Sequence, residues 1–431
     1  MIFYLISLVF ILSFTKGALE LLGLSEAILQ LVIEFLIVLL FMYSFLNVLK
    51  NKKFIGPGLI INILLFSIIL ISFLINNISI TQMILFIRKF GIYYLFFYAL
   101  FNTDLGSIQK DKLLKLIIFL FLIQIPASFI KLVVLGTQEK IVGIISVQEG
   151  SLATIMPLMA ISYLIANYLE LKNMKFIVVI FLFIGIGLIS NKMGILFYVM
   201  ILFITLSYFY SNKYSNTLIN TIFIRKLFTV SILLVFLFMA FVSLNPRANP
   251  EHQVGGSIDI EFLMNYIEDY QNLDLKGSRV EGDGRFQAPV VALDRLKEGG
   301  YFNLLFGFGP GDIVKSSYTK YKDPLLQKYN IGYGGRLGLV WILMQIGIIG
   351  MVLFLLFHFL LFKKTWKIYH VESSDKRFNV LALTTVGFSL IYFLDFFTYS
   401  TQMIKTPGMA ITYYFVIYYI LSNTNNFEEK T

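Results

Sequence analysis

Residues 58–76 read Gly58-Leu-Ile-Ile-Asn-Ile-Leu-Leu-Phe-Ser-Ile-Ile-Leu-Ile-Ser-Phe-Leu-Ile-Asn76, without one charged side chain. At a helical rise of ~1.5 Å per residue this run covers most of a ~30 Å hydrocarbon core, which takes about 20 apolar residues to cross. Runs of the same kind recur at 1–15, 27–49, 81–101, 113–135, 152–170, 175–190, 193–211, 227–244, 337–362, 379–395 and 406–422. The pattern predicts an all-α polytopic membrane protein with about twelve transmembrane helices. The seventh and eighth runs nearly meet, at Ser190-Asn191-Lys192. No basic stretch precedes the first run, so it reads as a retained helix and not as a cleaved signal peptide.

Composition agrees. Of the 431 residues, 58% are hydrophobic and only 14% charged, against about 25% charged in an ordinary soluble domain. The mean hydropathy is +0.80. These values exclude a soluble globular protein and a disordered one. There is no cysteine, which rules out a disulfide framework, a thiolate metal site and a Cys nucleophile. The formal net charge of +10 would suggest nucleic acid in a soluble protein, but here it reports topology. Sixteen basic residues fall in alternate short loops: Lys50, Lys52, Lys53, Lys110, Lys112, Lys115, Lys172, Lys175, Lys213, Arg225, Lys226, Lys363, Lys364, Lys367, Lys376 and Arg377. The opposite short loops hold four: Lys16, Lys140, Lys192 and Lys405. The rich side is therefore expected in the cytoplasm, with both termini. There is no fixed-period repeat and no clear similarity between the halves.

The chain divides into a first bundle, 1–244, a large outer loop, 245–335, and a last part, 336–431, with three more spans and a cytoplasmic tail. The loop holds 12 of the 25 acidic residues and 13 of the 30 glycines. A connection this long, with helical patterns of its own, is expected to be functional. Ile260, Leu263, Ile267 and Tyr270 lie at helical spacing in 257–273. After Gly282-Asp283-Gly284, Arg285 is expected to open an amphipathic helix running to about Glu298. Pro289 suits its first turn, and Val290, Leu293 and Leu296 form its apolar side. The turn Phe306-Gly307-Phe308-Gly309-Pro310-Gly311 follows, with backbone amides suited to face an anion.

Three stretches taken in order, Gly284-Arg285-Phe286, Leu305–Gly311 and Gln345-Ile346-Gly347-Ile348-Ile349-Gly350, resemble the Wzy-type O-antigen and capsule polymerases and the O-antigen ligases. Leu188–Gly194 is similar to that family's Ser-Arg-Gly patch, with Lys192 in the arginine's place. The resemblance implies a GT-C-like helical membrane fold in a bacterial cytoplasmic membrane, acting at the periplasmic or extracellular face. It also implies oligosaccharide repeats on undecaprenyl diphosphate as substrate, membrane lipid as surroundings, and a flippase and chain-length regulator as partners in the pathway. No cofactor or metal is expected. The resembled ligases carry a histidine about eleven positions before the Gly-x-x-Gly glycine. Counting back from Gly347 lands on Arg336, which favours polymerase over ligase.

A lipid diphosphate calls for cations at headgroup depth, and arginine binds phosphate bidentately. Arg285 and Arg279 in the loop, Arg336 before the tenth span and Lys192 are candidates. Arg88 and Lys89 join them, because charges inside a span are costly and normally face protein or water. For glycosyl transfer, Arg285 would act on the leaving group, and Glu281, Asp283 or Asp312 would accept the acceptor's proton. Asp395, inside a span, is a further candidate acid. The expected activity is metal-independent polymerisation of lipid-linked repeat units. The alternatives are an O-antigen ligase and a lipid-linked oligosaccharide flippase or other transporter.

Overall fold

The structure is a computed structural model. It describes residues 1–51, 54–135, 141–147, 150–190, 192, 194–214, isolated positions between 232 and 243, 249–253, 255–265, 285, 287–314, 324–371 and 375–428. Every regular element among the described residues is helical. Seven stretches are long and apolar enough to cross a membrane, which makes the chain a multi-pass membrane protein. They are α1 (Ile2–Leu21), α2 (Glu26–Asn51), α6 (Ser107–Leu122) continued by α7 (Gln124–Leu135), α8 (Leu152–Leu171), α10 (Gly194–Tyr214), α14 (Gly338–His370) and α15 (Lys376–Leu394) with the π-helical turn Asp395–Tyr399. Two shorter apolar helices, α3 (Leu59–Ile75) and α9 (Lys175–Ile189), stand where runs were expected. So does α17 (Pro407–Glu428). The expected run at 227–244 lies mostly outside the described residues.

Two expected spans are broken. The run 81–101 is α4 (Ile80–Phe90) and α5 (Ile92–Phe101), bent by 49° at Gly91. The start of α4 is fixed by a capping box between Ser79 and Gln82. The run 113–135 is divided at Ile123, three residues before Pro126, which cannot donate to the preceding turn.

α8 forms the centre: nearly all its residues are buried, and it packs against α9, α10 and α15. α5, almost as enclosed, lies between α2 and α17. Buried rings fill the joints, as in Phe10 against Phe415 and Phe97 against Tyr414. Lipid tails are as apolar as these side chains, so close packing holds such helices together. The outward faces of α2 and α3 carry exposed Leu, Ile and Phe, as lipid requires.

The loop supplies α11 (Ala288–Glu298), α12 (Tyr301–Phe306) and α13 (Pro324–Tyr329). The expected helix after Gly284 therefore begins three residues later, leaving Arg285 in the turn before it. Pro289 does stand in its first turn. Its buried face is Ala288, Ala292 and Leu296, at four-residue spacing, whereas Val290 is exposed. Small residues let α11 lie closely on α14, which no apolar count anticipates. Farther back, Leu263 is buried and Ile260 exposed; Ile267 and Tyr270 lie outside the described residues.

Candidate functional site

The glycine turn and the Gly-x-x-Gly stretch, 36 residues apart in the chain, meet. Helix α14 is interrupted at Gly347 (φ 67°, ψ −169°), which stands in a left-handed conformation that a side chain resists. Such a break frees backbone carbonyls that have no water to turn to at membrane depth. The Phe308 amide donates to the Met344 carbonyl at 2.8 Å. The Ser72 hydroxyl donates to the Gln345 carbonyl at 3.2 Å, and Asn76 Nδ2 to the Gly307 carbonyl at 3.0 Å. Gln345, itself fully buried, accepts the Gly311 amide on Oε1 at 2.9 Å. Gly307, Gly309 and Gly311 all have positive φ, and a Cβ on Gly347 would stand on the Leu305 carbonyl.

This arrangement corrects one expectation. The amides of Gly307, Phe308 and Gly311 are bound to Asn303, Met344 and Gln345, so they bind protein and do not face an anion. Asp312 is likewise committed. It is buried, and Lys328 Nζ and the Tyr329 hydroxyl donate to its two oxygens at 2.5 and 2.6 Å. Tyr329 also stacks on Phe308 at 4.6 Å. Asp312 thus ties the glycine turn to α13.

A second turn gathers the cations. Between α15 and α17 the chain passes through the π turn, Ser400, Thr401 and the short α16 (Gln402–Lys405). Asp395, 1% exposed, holds this turn: it accepts the Ser400 hydroxyl at 2.6 Å and the Met403 amide at 2.8 Å. The half-buried Arg285 rests its guanidinium over the Tyr399 ring, 5.0 Å from the centroid. The Tyr399 hydroxyl meets Thr154 Oγ1 at 2.9 Å, and its ring packs edge-on against Tyr198. The exposed Arg336 lies two residues before Gly338, whose amide donates to the Ser400 carbonyl at 3.2 Å. Lys405 sits over the Trp341 ring at 4.4 Å, and its carbonyl accepts the Tyr93 hydroxyl at 3.0 Å. Arg285 thus lies on a ring of this turn, Lys405 belongs to it, and the chain two residues after Arg336 is bonded to it.

The other candidates are distributed differently. Lys192, half-buried, lies just before α10, and Tyr198 is about one turn into that helix. On α4, Phe86 and Phe90 face Trp341, so Arg88, two residues from each, is turned the other way, to Glu34 on α2 at 2.6 Å. Lys89 is half-buried beside it. Arg279, Glu281 and Asp283 lie outside the described residues. Among the described residues no three His, Asp or Glu side chains are grouped to hold a metal ion. An apolar cleft of about 210 Å³ between α6, α8, α9, α15 and α17 contains none of the candidates.

Three participants escaped the sequence reading. Tyr399 was one aromatic among many. Lys405 counted only as an outer-side charge, although the polar run Ser400-Thr401-Gln402 beside it marked an unusual link between spans. Glu34 is an acid within an apolar run, the same signal that singled out Arg88. No family model matches this chain, and no curated protein matches it.

Proposed function

We propose that this protein is a polysaccharide polymerase that joins oligosaccharide repeats carried on undecaprenyl diphosphate. The reading has about twelve spans in a bacterial cytoplasmic membrane, both termini in the cytoplasm, and catalysis at the periplasmic or extracellular face. The observation that carries it is that Arg285 rests on Tyr399 of the Asp395–Thr406 turn, which also contains Lys405. The resemblance of the glycine turn and the Gly-x-x-Gly stretch to polymerases supports it independently.

In the proposed reaction a hydroxyl of the acceptor sugar attacks the anomeric carbon of the donor. The bond from that carbon to the diphosphate oxygen breaks, and its electron pair leaves with the lipid diphosphate. Arg285 and Arg336 meet the charge that develops there, with Lys192 and Lys405 adding positive potential. Preorganised cations in a water-poor site act most strongly on charge that appears in the transition state. The hydroxyl proton goes to a loop carboxylate, Glu281, Asp283 or Asp312. A flippase would deliver the substrate and a chain-length regulator would set the number of transfers.

Disrupting the gene and resolving the surface glycan on a gel tests this reading. A polymerase mutant attaches a single repeat to its acceptor, a ligase mutant retains long chains on the carrier lipid, and full-length surface glycan rejects both. Complementation with Arg285→Ala should restore membrane insertion but not chain extension, with a rate loss of roughly 10²–10³-fold. Ladders of normal length from that variant would reject Arg285 as a participant.

A further inference from the structure

Arg88 stands apart from the cations at the Asp395–Thr406 turn. On α4 it continues the stripe Ile80, Ile84, Arg88, spaced by four residues, and the two isoleucines are 72% and 53% exposed. On α2 the buried Glu34 is flanked by the exposed Leu31 and Phe35. The surface around the pair is therefore one that lipid covers. Glu34 and Arg88 lie about 12–14 Å along their helices from Glu26 and Ser79, deep enough that the guanidinium has to reach outward to meet a headgroup.

Their hydrogen bonding is uneven. Glu34 is fully engaged: Gln30 Nε2 donates to Oε1 at 2.9 Å and Arg88 Nε to Oε2 at 2.6 Å. A guanidinium has five N–H donors, and Arg88 uses its inner one on Glu34. Among the described residues its outer edge has no hydrogen-bond partner, although the side chain is 34% exposed. A cation on a lipid-facing surface reaches towards the headgroups, where the acceptor matching an arginine fork is phosphate.

We propose that Glu34 and Arg88 form a binding site for lipid-borne phosphate. Glu34 is the positioning residue, fixing the guanidinium through Nε, and the outer edge of Arg88 takes two phosphate oxygens from a headgroup at the α2–α4 rim. That phosphate comes from an anionic phospholipid or from a polyprenyl phosphate. The site stands independently of the transfer reaction proposed above, and it is read out by binding.

The experiment follows the thermal unfolding midpoint of the full chain in dodecyl maltoside, a phosphate-free detergent, titrated with phosphatidylglycerol or, separately, with undecaprenyl phosphate. The midpoint should rise with added phosphate lipid and not with added diacylglycerol, which has no phosphate. Arg88→Gln should raise the half-saturating concentration at least about tenfold, the loss of charge-assisted hydrogen bonds. Arg88→Lys, a point charge without the fork, should raise it less, and it replaces Arg88→Gln if that variant does not fold. Glu34→Gln keeps an acceptor for Arg88 Nε but removes a negative charge beside the phosphate, so binding should tighten about threefold. A response to both lipids supports a general phosphate site, and one confined to undecaprenyl phosphate supports the same site with a polyprenyl headgroup. Equal responses from wild type and the Arg88 variants, or no response beyond that to diacylglycerol, overturn the proposal.

Discussion

On the N-terminal side of Gly347, α14 gives the carbonyls of Met344 and Gln345 to a loop and a neighbouring hydroxyl. On the C-terminal side its buried polar groups meet tyrosines. His358, fully buried, is stacked on Tyr392 at 4.0 Å and meets the Tyr413 hydroxyl at 3.3 Å. Farther along, Tyr369 donates to Glu170 at 2.7 Å, and Tyr214 donates to the other oxygen at 2.8 Å. The half with backbone exchanged for loop contacts also has Lys405 over its Trp341 ring. The buried polar side chains of the other half are satisfied by one another. Burial of a polar group is therefore not itself a mark of a site in this protein. What separates the halves is whether the groups lead outward to loops or inward to one another.

The largest expected effect comes from putting a side chain at the break. Gly347→Ala puts a Cβ on a residue whose backbone (φ 67°, ψ −169°) is essentially open to glycine alone, at about 1–3 kcal/mol. It also drives that Cβ onto the Leu305 carbonyl. Together these should cost about 3 kcal/mol or more, seen as a lowered melting temperature in detergent or loss of folded protein. Wild-type melting would mean that the glycine turn does not hold α14 as described.

Glu170→Ala tests the other half. It strands the buried Tyr369 hydroxyl, and leaving a buried donor unsatisfied costs about 1–3 kcal/mol. Stability should fall while glycan extension per folded molecule stays at the wild-type level. Loss of extension beyond the loss of folded protein would erase the proposed distinction between the halves.

Most of the helices were legible because an apolar run has few alternatives at this length. The bends were not. Ile84 to Tyr94 is apolar on both sides of Gly91 except for Arg88 and Lys89, so composition continues where the backbone turns by 49°. The end of α14 was also missed: the expected run stops at 362, but Lys363, Lys364 and Lys367 are good helix formers and carry the helix on to His370. For the site, the sequence gives the order of the glycine turn and the Gly-x-x-Gly stretch but not their contact. Pairing depends on which amide answers which freed carbonyl. Nor does it give the partners of Arg285 and Arg88, because Tyr399 and Glu34 lie more than 50 residues away in the chain.

The smallest effects sharpen the comparison most, because they match in stability and differ in activity. Tyr399→Phe and Tyr413→Phe each remove one hydroxyl, shared with Thr154 in the first case and His358 in the second. Each should lower stability by about 1 kcal/mol and leave extension intact, since both rings remain. Replacing the rings separates them. In Tyr399→Leu the Arg285 guanidinium loses the face it rests on, a contact of about 0.5–2 kcal/mol, so extension should fall several-fold in correctly folded protein. Tyr413→Leu opens space in the His358 cage and costs stability, but should not change extension per folded molecule. If the two leucine variants reduce extension equally, the Tyr399 ring is packing like any other, and Arg285 owes its position to different neighbours.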